Sequence, residues 1–144
     1  INMDIEPFLL ASTIMGVLGV RLLRTNCMHC AAPYSPEPYA LEQLRQFEGD
    51  EYLRMLIDQQ GFYKGAGCSA CANTGFSGRS SINELLICDE KVREAVMQKR
   101  ASRDIQKLAV AAGMRTLWES GLQMVVDRKT TLEETLQKVA ADQV

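Results

Sequence analysis

The chain carries Cys27-Met28-His29-Cys30 and, after 37 intervening residues, Cys68-Ser69-Ala70-Cys71. Each segment has two residues between its cysteines, so the four thiolates can converge on one ion. Paired segments of this kind are typical of structural zinc sites, in which four protein ligands complete a tetrahedral coordination sphere. Such a site stabilises a fold and leaves no open position for catalysis. We therefore predict one structural Zn²⁺ ion, bound by Cys27, Cys30, Cys68 and Cys71.

Two other chemistries of the four cysteines stay open at this point. Iron–sulfur clusters are also held by four thiolates, and a single CxxC pair can act as a redox-active dithiol. Two pairs within one short region favour a metal site over thiol chemistry. We interpret His29, inside the first pair, as an exposed spacer and the fifth cysteine, Cys88, as a small buried hydrophobic residue.

The composition is that of a globular protein, with 144 residues, of which 47% are hydrophobic and 24% charged. The net charge of −2 gives no general reason to bind nucleic acid or an anionic membrane. The cysteines form CxxC pairs without a secretory signal peptide, so a reducing compartment, the cytoplasm, is expected. Because the chain begins at Ile1 without a methionine, we expect it to be a fragment of a longer protein.

The N-terminal region predicts one apolar helix from Pro7 to about Arg24. The apolar run over 7–20 has 14 residues, which suits a buried helix better than a membrane span of about 20 residues. Proline at the start of this run is compatible with a first helical turn. We interpret Arg21 and Arg24 as cations near the C-terminus of this helix, where the helix dipole favours positive charge.

Beyond the first cysteine pair, the sequence predicts mainly helices with small β elements. Two short helices are expected over 39–47 and 51–59, separated by Gly49-Asp50, and short strands over 63–64 and 80–87. The last third predicts helices that begin at capping residues. These signals are Asp89, Ser102 with a stop at Gly113, Thr116-x-x-Glu119 and Thr131-x-x-Glu134.

The chain shows no sign of an active site. It has no Gly-Lys dipeptide, and therefore no phosphate-binding P-loop, and it has a single histidine. We do not expect this chain to be an enzyme. A free-standing zinc-ribbon adaptor for protein or nucleic acid is the alternative function. The segment 31–67 has six acidic and three basic residues, which argues against nucleic acid as the ligand.

Six segments, taken in order and spacing, resemble the C-terminal region of the hexameric ATPases that power type II secretion and type IV pilus assembly. The resemblance begins after that family's histidine box and covers nearly the whole chain. The segments are MDIEPFLLAS (3–12), RLLRTNC (21–27), GAGCSACANTGFSGR (65–79), INELL (82–86), GMRTL (113–117) and TTLEE (130–134).

The resemblance implies that this chain is a fragment of a RecA-like P-loop ATPase. Residues 1–26 would form the terminal helix of the ATPase domain, 27–75 a tetracysteine metal-binding subdomain, and 76–144 a return strand with a C-terminal helical subdomain. ATP and Mg²⁺ would bind only in the intact parent protein, which is expected to be an ATPase. No catalytic or cofactor-binding residue is carried over to this chain.

The resemblance also implies partners and a location. The parent protein would assemble as a homo-hexamer and contact an inner-membrane platform protein at the cytoplasmic face of the bacterial inner membrane. All four cysteines are present, whereas the related retraction ATPases generally lack the metal motif. The sequence does not separate a protein-secretion ATPase from a pilus assembly ATPase.

Overall fold

The computed structural model describes the backbone of residues 6–59 and 61–139, and side chains over these ranges except at 47–53, 55 and 57–59. The helices are α1 Pro7–Thr13, α2 Pro38–Gln59, α3 Glu90–Met97, α4 Ser102–Ala111, α5 Leu117–Val126 and α6 Leu132–Val139. The strands are β1 Gly16–Asn26, β2 Ala31–Tyr34, β3 Phe62–Gly65 and β4 Phe76–Ile87. They form two small sheets, β1 with β4 and β2 with β3. None of the described helices is long and apolar enough to cross a membrane.

The predicted helix over 7–24 is wrong beyond its first two turns. Helix α1 ends at Thr13, Ile14 is extended, and β1 begins at Gly16. Two glycines and two valines between 16 and 20 explain the change, because glycine costs about 1 kcal/mol in a helix and β-branched residues favour strands. Arg21 and Arg24 therefore lie on a strand and do not cap a helix.

The described part of the region between the cysteine pairs (31–59 and 61–67) contains one helix, α2, where the sequence predicts two. Gly49-Asp50 does not interrupt it. A single glycine costs only about 1 kcal/mol in a helix. Buried residues from both halves of α2, Leu44 and Leu56, join the same hydrophobic core and fix the helix on either side of the glycine.

Two predicted caps differ in outcome. Asp89 is the N-cap of α3, and its carboxylate accepts a hydrogen bond from the N–H of Val92 at 2.9 Å. Ser102 is not a cap, because Ala101 occupies the N-cap position of α4 and Ser102 is the first helical residue. The predicted strands over 63–64 and 80–87 are confirmed as parts of β3 and β4.

The first compact unit comprises Ile1–Val20 and Asn83–Thr116. Within it, α1 packs against α3, and α3 packs against α4. The guanidinium group of Arg93 on α3 donates hydrogen bonds to the carbonyl oxygens of Ala11 and Cys88. These bonds join α1, α3 and the end of β4, and Cys88 itself is half-buried.

The second compact unit comprises Arg21–Ile82 and Leu117–Val144. Its hydrophobic core combines β1, β3, β4 and α2 with α5 and α6. The fully buried members are Leu23, Leu44, Leu56, Ile82, Leu122, Val125, Leu132 and Val139. Helix α6 packs on both α5 and α2. The C-terminal helices therefore complete the core around the residues that flank both cysteine pairs.

A buried carboxylate joins α6 to β1. The side chain of Glu134 is fully buried and accepts hydrogen bonds from Arg24 Nε at 2.9 Å and Nη2 at 2.5 Å. The backbone N–H of Arg24 donates to the same carboxylate at 3.1 Å. Burial alone would raise the pKa of Glu134, but the hydrogen bonds and charge of Arg24 outweigh burial and lower this pKa overall.

We expect Glu134→Gln to destabilise the chain by about 2 kcal/mol at pH 7, because it removes charge-assisted hydrogen bonds. Since the folded pKa of Glu134 is lowered, its contribution is complete above the unfolded value and is lost as pH falls through the folded value. The difference between wild type and Glu134→Gln should therefore shrink between pH 7 and pH 3. Urea unfolding at several pH values measures it, and a pH-independent difference would contradict the assignment.

Candidate metal centre

The structure brings the four predicted cysteines together. One ligand atom from each of Cys27, Cys30, Cys68 and Cys71 lies within 4.8 Å of all the others. The described distances between sulfur atoms are 3.8 Å for Cys27–Cys68, 3.9 Å for Cys30–Cys71 and 3.7 Å for Cys68–Cys71. All four thiols are free, since no disulfide joins them.

These distances fit one tetrahedral ion. A zinc–sulfur bond of about 2.3 Å places the corners of a tetrahedron about 3.8 Å apart, and the three sulfur–sulfur distances lie within 0.1 Å of that edge. An iron–sulfur cluster needs more room, because several irons and bridging sulfides separate its ligands. The four cysteines can thus hold a single metal ion.

A short sheet closes the segment between the cysteine pairs. Strands β2 and β3 are antiparallel, with Ala31 opposite Gly65 and Tyr34 opposite Phe62. Ala31 directly follows Cys30, and Gly65 lies three residues before Cys68. The register therefore brings the second pair beside the first, while α2 extends between the far ends of the two strands.

Backbone N–H groups point at two of the sulfur atoms. The N–H of Gly67 donates to Cys30 Sγ at 3.3 Å, and those of Cys68 and Gly75 donate to Cys71 Sγ at 3.2 and 3.3 Å. Burial opposes ionisation of Cys71, but the N–H groups of Cys68 and Gly75, together with the Cys68 and Cys30 thiols, outweigh burial and lower its pKa to about 6. Cys71 can therefore supply a thiolate to an incoming cation at neutral pH.

Two glycines let the chain pass close to itself beside the second pair. A Cβ atom on Gly65 would lie 1.9 Å from the carbonyl oxygen of Gly75, and a Cβ on Gly75 would lie 2.3 Å from that of Gly65. The carbonyl of Gly75 accepts the N–H of Cys27 at 2.9 Å. Gly75 also has φ of +76°, which favours glycine. Its peptide groups thus contact a residue from each pair.

The other two residues singled out in the sequence, His29 and Cys88, lie outside the cysteine cluster. His29 is exposed and is not among the four clustered ligands. Cys88 belongs to the first compact unit, outside the cluster. Sequence reasoning missed Asn26, which is 6% exposed beside Cys27. It also missed the contact between Gly65 and Gly75, although the density of glycine around the second pair was a usable signal.

Comparison with known proteins gives the family of the chain. Residues 1–137 match the family described as Type II/IV secretion system protein. The chain belongs to this family. The resemblance found in the sequence is thereby confirmed.

Relatives in this family include the type IV pilus assembly ATPase PilB of Thermus thermophilus, with 38% identity over 94% of the chain and 14% of that protein. The type II secretion system protein HxcR of Pseudomonas aeruginosa has 38% identity over 94% of the chain and 24% of its own length. Type II secretion system protein E of Aeromonas hydrophila has 37% identity over 98% and 26%. The chain thus spans about a quarter or less of these relatives.

Proposed function

We propose that this chain is the non-catalytic C-terminal portion of a cytoplasmic hexameric ATPase that powers type II protein secretion or type IV pilus assembly. Its tetracysteine site binds one structural zinc ion and fixes a surface for partner contact. The observation that carries the proposal is the cluster of four sulfur atoms within 4.8 Å of one another, in a chain matched to the family over residues 1–137.

The ligands of the proposed site are Cys27, Cys30, Cys68 and Cys71. Zinc has no redox chemistry of its own and supplies four bonds that hold the ligands in place. The chain's own groups orient the ligands: β2 and β3 align the two pairs, and backbone N–H groups contact Cys30 and Cys71. Such second contacts usually tune metal affinity.

The relatives are named as a pilus assembly ATPase and as type II secretion proteins. These names support the proposal that the intact parent protein is an ATPase, an activity that this chain does not have by itself. ATP hydrolysis, with ATP and Mg²⁺, belongs to the RecA-like domain of that parent protein. We assign 1–26 to the end of that domain, 27–75 to the metal-binding subdomain and 76–144 to the C-terminal subdomain. The partners are other subunits of a homo-hexamer and an inner-membrane platform protein, at the cytoplasmic face of the inner membrane.

The first test is the metal content of the purified chain, measured by elemental analysis with and without a chelator. We expect one zinc per chain and no ATP turnover. Iron with sulfide would contradict the zinc site, as would a folded protein that binds no metal. ATP hydrolysis by the purified chain would contradict its non-catalytic role. A mononuclear iron is separated from zinc by the same elemental measurement.

A further inference from the structure

The end of β1, just before the first cysteine, lies against the loop between α5 and α6. The backbone N–H of Asn26 donates to the carbonyl of Lys129 at 2.7 Å. The hydroxyl of Thr130, which is fully buried, donates to the carbonyl of Arg24 at 2.8 Å. The segment 24–26, just before the first cysteine, is therefore hydrogen-bonded to residues more than 100 positions later in the chain.

The side chain of Asn26 adds a third element to this contact. Its Nδ2 donates to the carbonyl oxygen of Tyr63 on β3 at 2.9 Å and to that of Arg128 at 3.0 Å. Both protons of the amide are thus used. Its Oδ1 is buried and has no hydrogen-bond partner among the described residues. An unpaired buried oxygen costs free energy. The Asn26 side chain therefore stabilises the contact through its two N–H donors and not through its oxygen.

A further contact joins β3 to the α5–α6 loop. Arg128 has a left-handed backbone, with φ of +62°, and its guanidinium carbon lies 4.4 Å from the ring centroid of Tyr63. Cation–π contacts of this geometry are attractive. Tyr63 is thus held to Arg128 by its ring and, through Asn26, by its carbonyl oxygen.

We infer that Asn26 couples the metal centre to the α5–α6 loop, so that metal binding orders the C-terminal helices as well as the cysteine pairs. The inference rests on the proposed zinc site. Asn26 is bonded to Cys27, whose sulfur is a ligand and whose N–H is held by Gly75. A metal ion bound to the Cys27 sulfur fixes the backbone of Cys27 and of the adjacent Asn26. The fixed backbone holds the Asn26 side-chain amide within reach of its two acceptors, the carbonyl oxygens of Tyr63 and Arg128. Asn26 is therefore a positioning residue for α5 and α6.

The test is hydrogen–deuterium exchange of the full chain with zinc bound and after chelation. In wild type, zinc removal should raise exchange at 124–136 about tenfold or more, as expected for the loss of two or more hydrogen bonds. Asn26→Ala and the isosteric Asn26→Asp, whose carboxylate cannot donate, should still bind one zinc. In both variants the zinc-dependent difference at 124–136 should shrink, while that at 27–34 remains.

Gln123→Ala serves as a matched control, since Gln123 is exposed on α5 and its side-chain amide donates to the Asp127 carboxylate at 3.0 Å. It should keep the full zinc-dependent difference. Unchanged exchange at 124–136 on zinc removal from wild type would overturn the coupling alone. Equal increases in both zinc states of the Asn26 variants would mean a merely structural role and overturn it too. A wild-type chain without zinc would instead overturn the proposed metal site.

Discussion

Replacing Cys71 with serine should abolish zinc binding and unfold the region around both cysteine pairs. Cys71 is 7% exposed, and its sulfur lies 3.7 Å from that of Cys68 and 3.9 Å from that of Cys30. Binding of structural zinc contributes about 10–16 kcal/mol to small zinc-dependent folds. We expect zinc content to fall from one per chain to near zero. Elemental analysis and thermal unfolding followed by circular dichroism measure both effects.

Cys88→Ser is the control for this experiment, because it makes the same chemical change outside the four-sulfur cluster. It should keep one zinc per chain and lose about 1 kcal/mol or less, as expected at a half-buried site. Cys30→Ser and Cys68→Ser should behave like Cys71→Ser. If Cys30→Ser, Cys68→Ser and Cys71→Ser all kept wild-type zinc content and melting temperature, the ligand assignment would be wrong.

Gly65→Ala should have the second largest effect, through sterics alone. The added Cβ would lie 1.9 Å from the carbonyl oxygen of Gly75, so the two backbone segments must separate. That movement displaces the N–H that bonds Cys71 Sγ and the carbonyl that holds Cys27. We expect a loss of about 3 kcal/mol in urea unfolding. We also expect at least about tenfold weaker zinc binding in chelator competition.

Gly61→Ala separates this steric effect from the ordinary cost of replacing a glycine. Gly61 has φ of +64°, but a Cβ there would meet nothing within 4 Å. The substitution should cost about 1–2 kcal/mol through its backbone conformation and leave zinc affinity unchanged. Zinc affinity is therefore the decisive measurement. Equal affinities for Gly65→Ala and wild type would show that the glycine contact does not position the ligands.

Features that depend on nearby residues can be predicted from the sequence. The spacing within each cysteine pair predicts four metal ligands, and the structure brings the four cysteines together. Asp89 is predicted as a cap and does cap α3. Both signals are local, because the two cysteines of each pair, and Asp89 with the Val92 N–H, lie three residues apart. The two pairs meet across 41 positions, and their association is indicated only by the repeated CxxC motif.

Features that depend on distant residues cannot be predicted in this way. The sequence assigns Glu134 to a capping box with Thr131. The Thr131 hydroxyl does accept the N–H of Glu134, at 3.1 Å. The Glu134 carboxylate, however, bonds to Arg24, 110 positions earlier. The predicted N-terminal helix is too long for a related reason: apolar spacing alone does not distinguish a helix from a strand over 16–26.

The contacts made by the first turn of α6 determine which part of the fold is completed last during synthesis. The two neighbouring carboxylates of this turn bind groups between residues 24 and 37: Glu134 binds Arg24, and Glu133 binds the Tyr34 hydroxyl and the Glu37 N–H. On the ribosome, both cysteine pairs are made before α6, so the proposed zinc ion would bind while these acceptors are still missing. It would then hold an incomplete intermediate together until α6 emerges and closes the core.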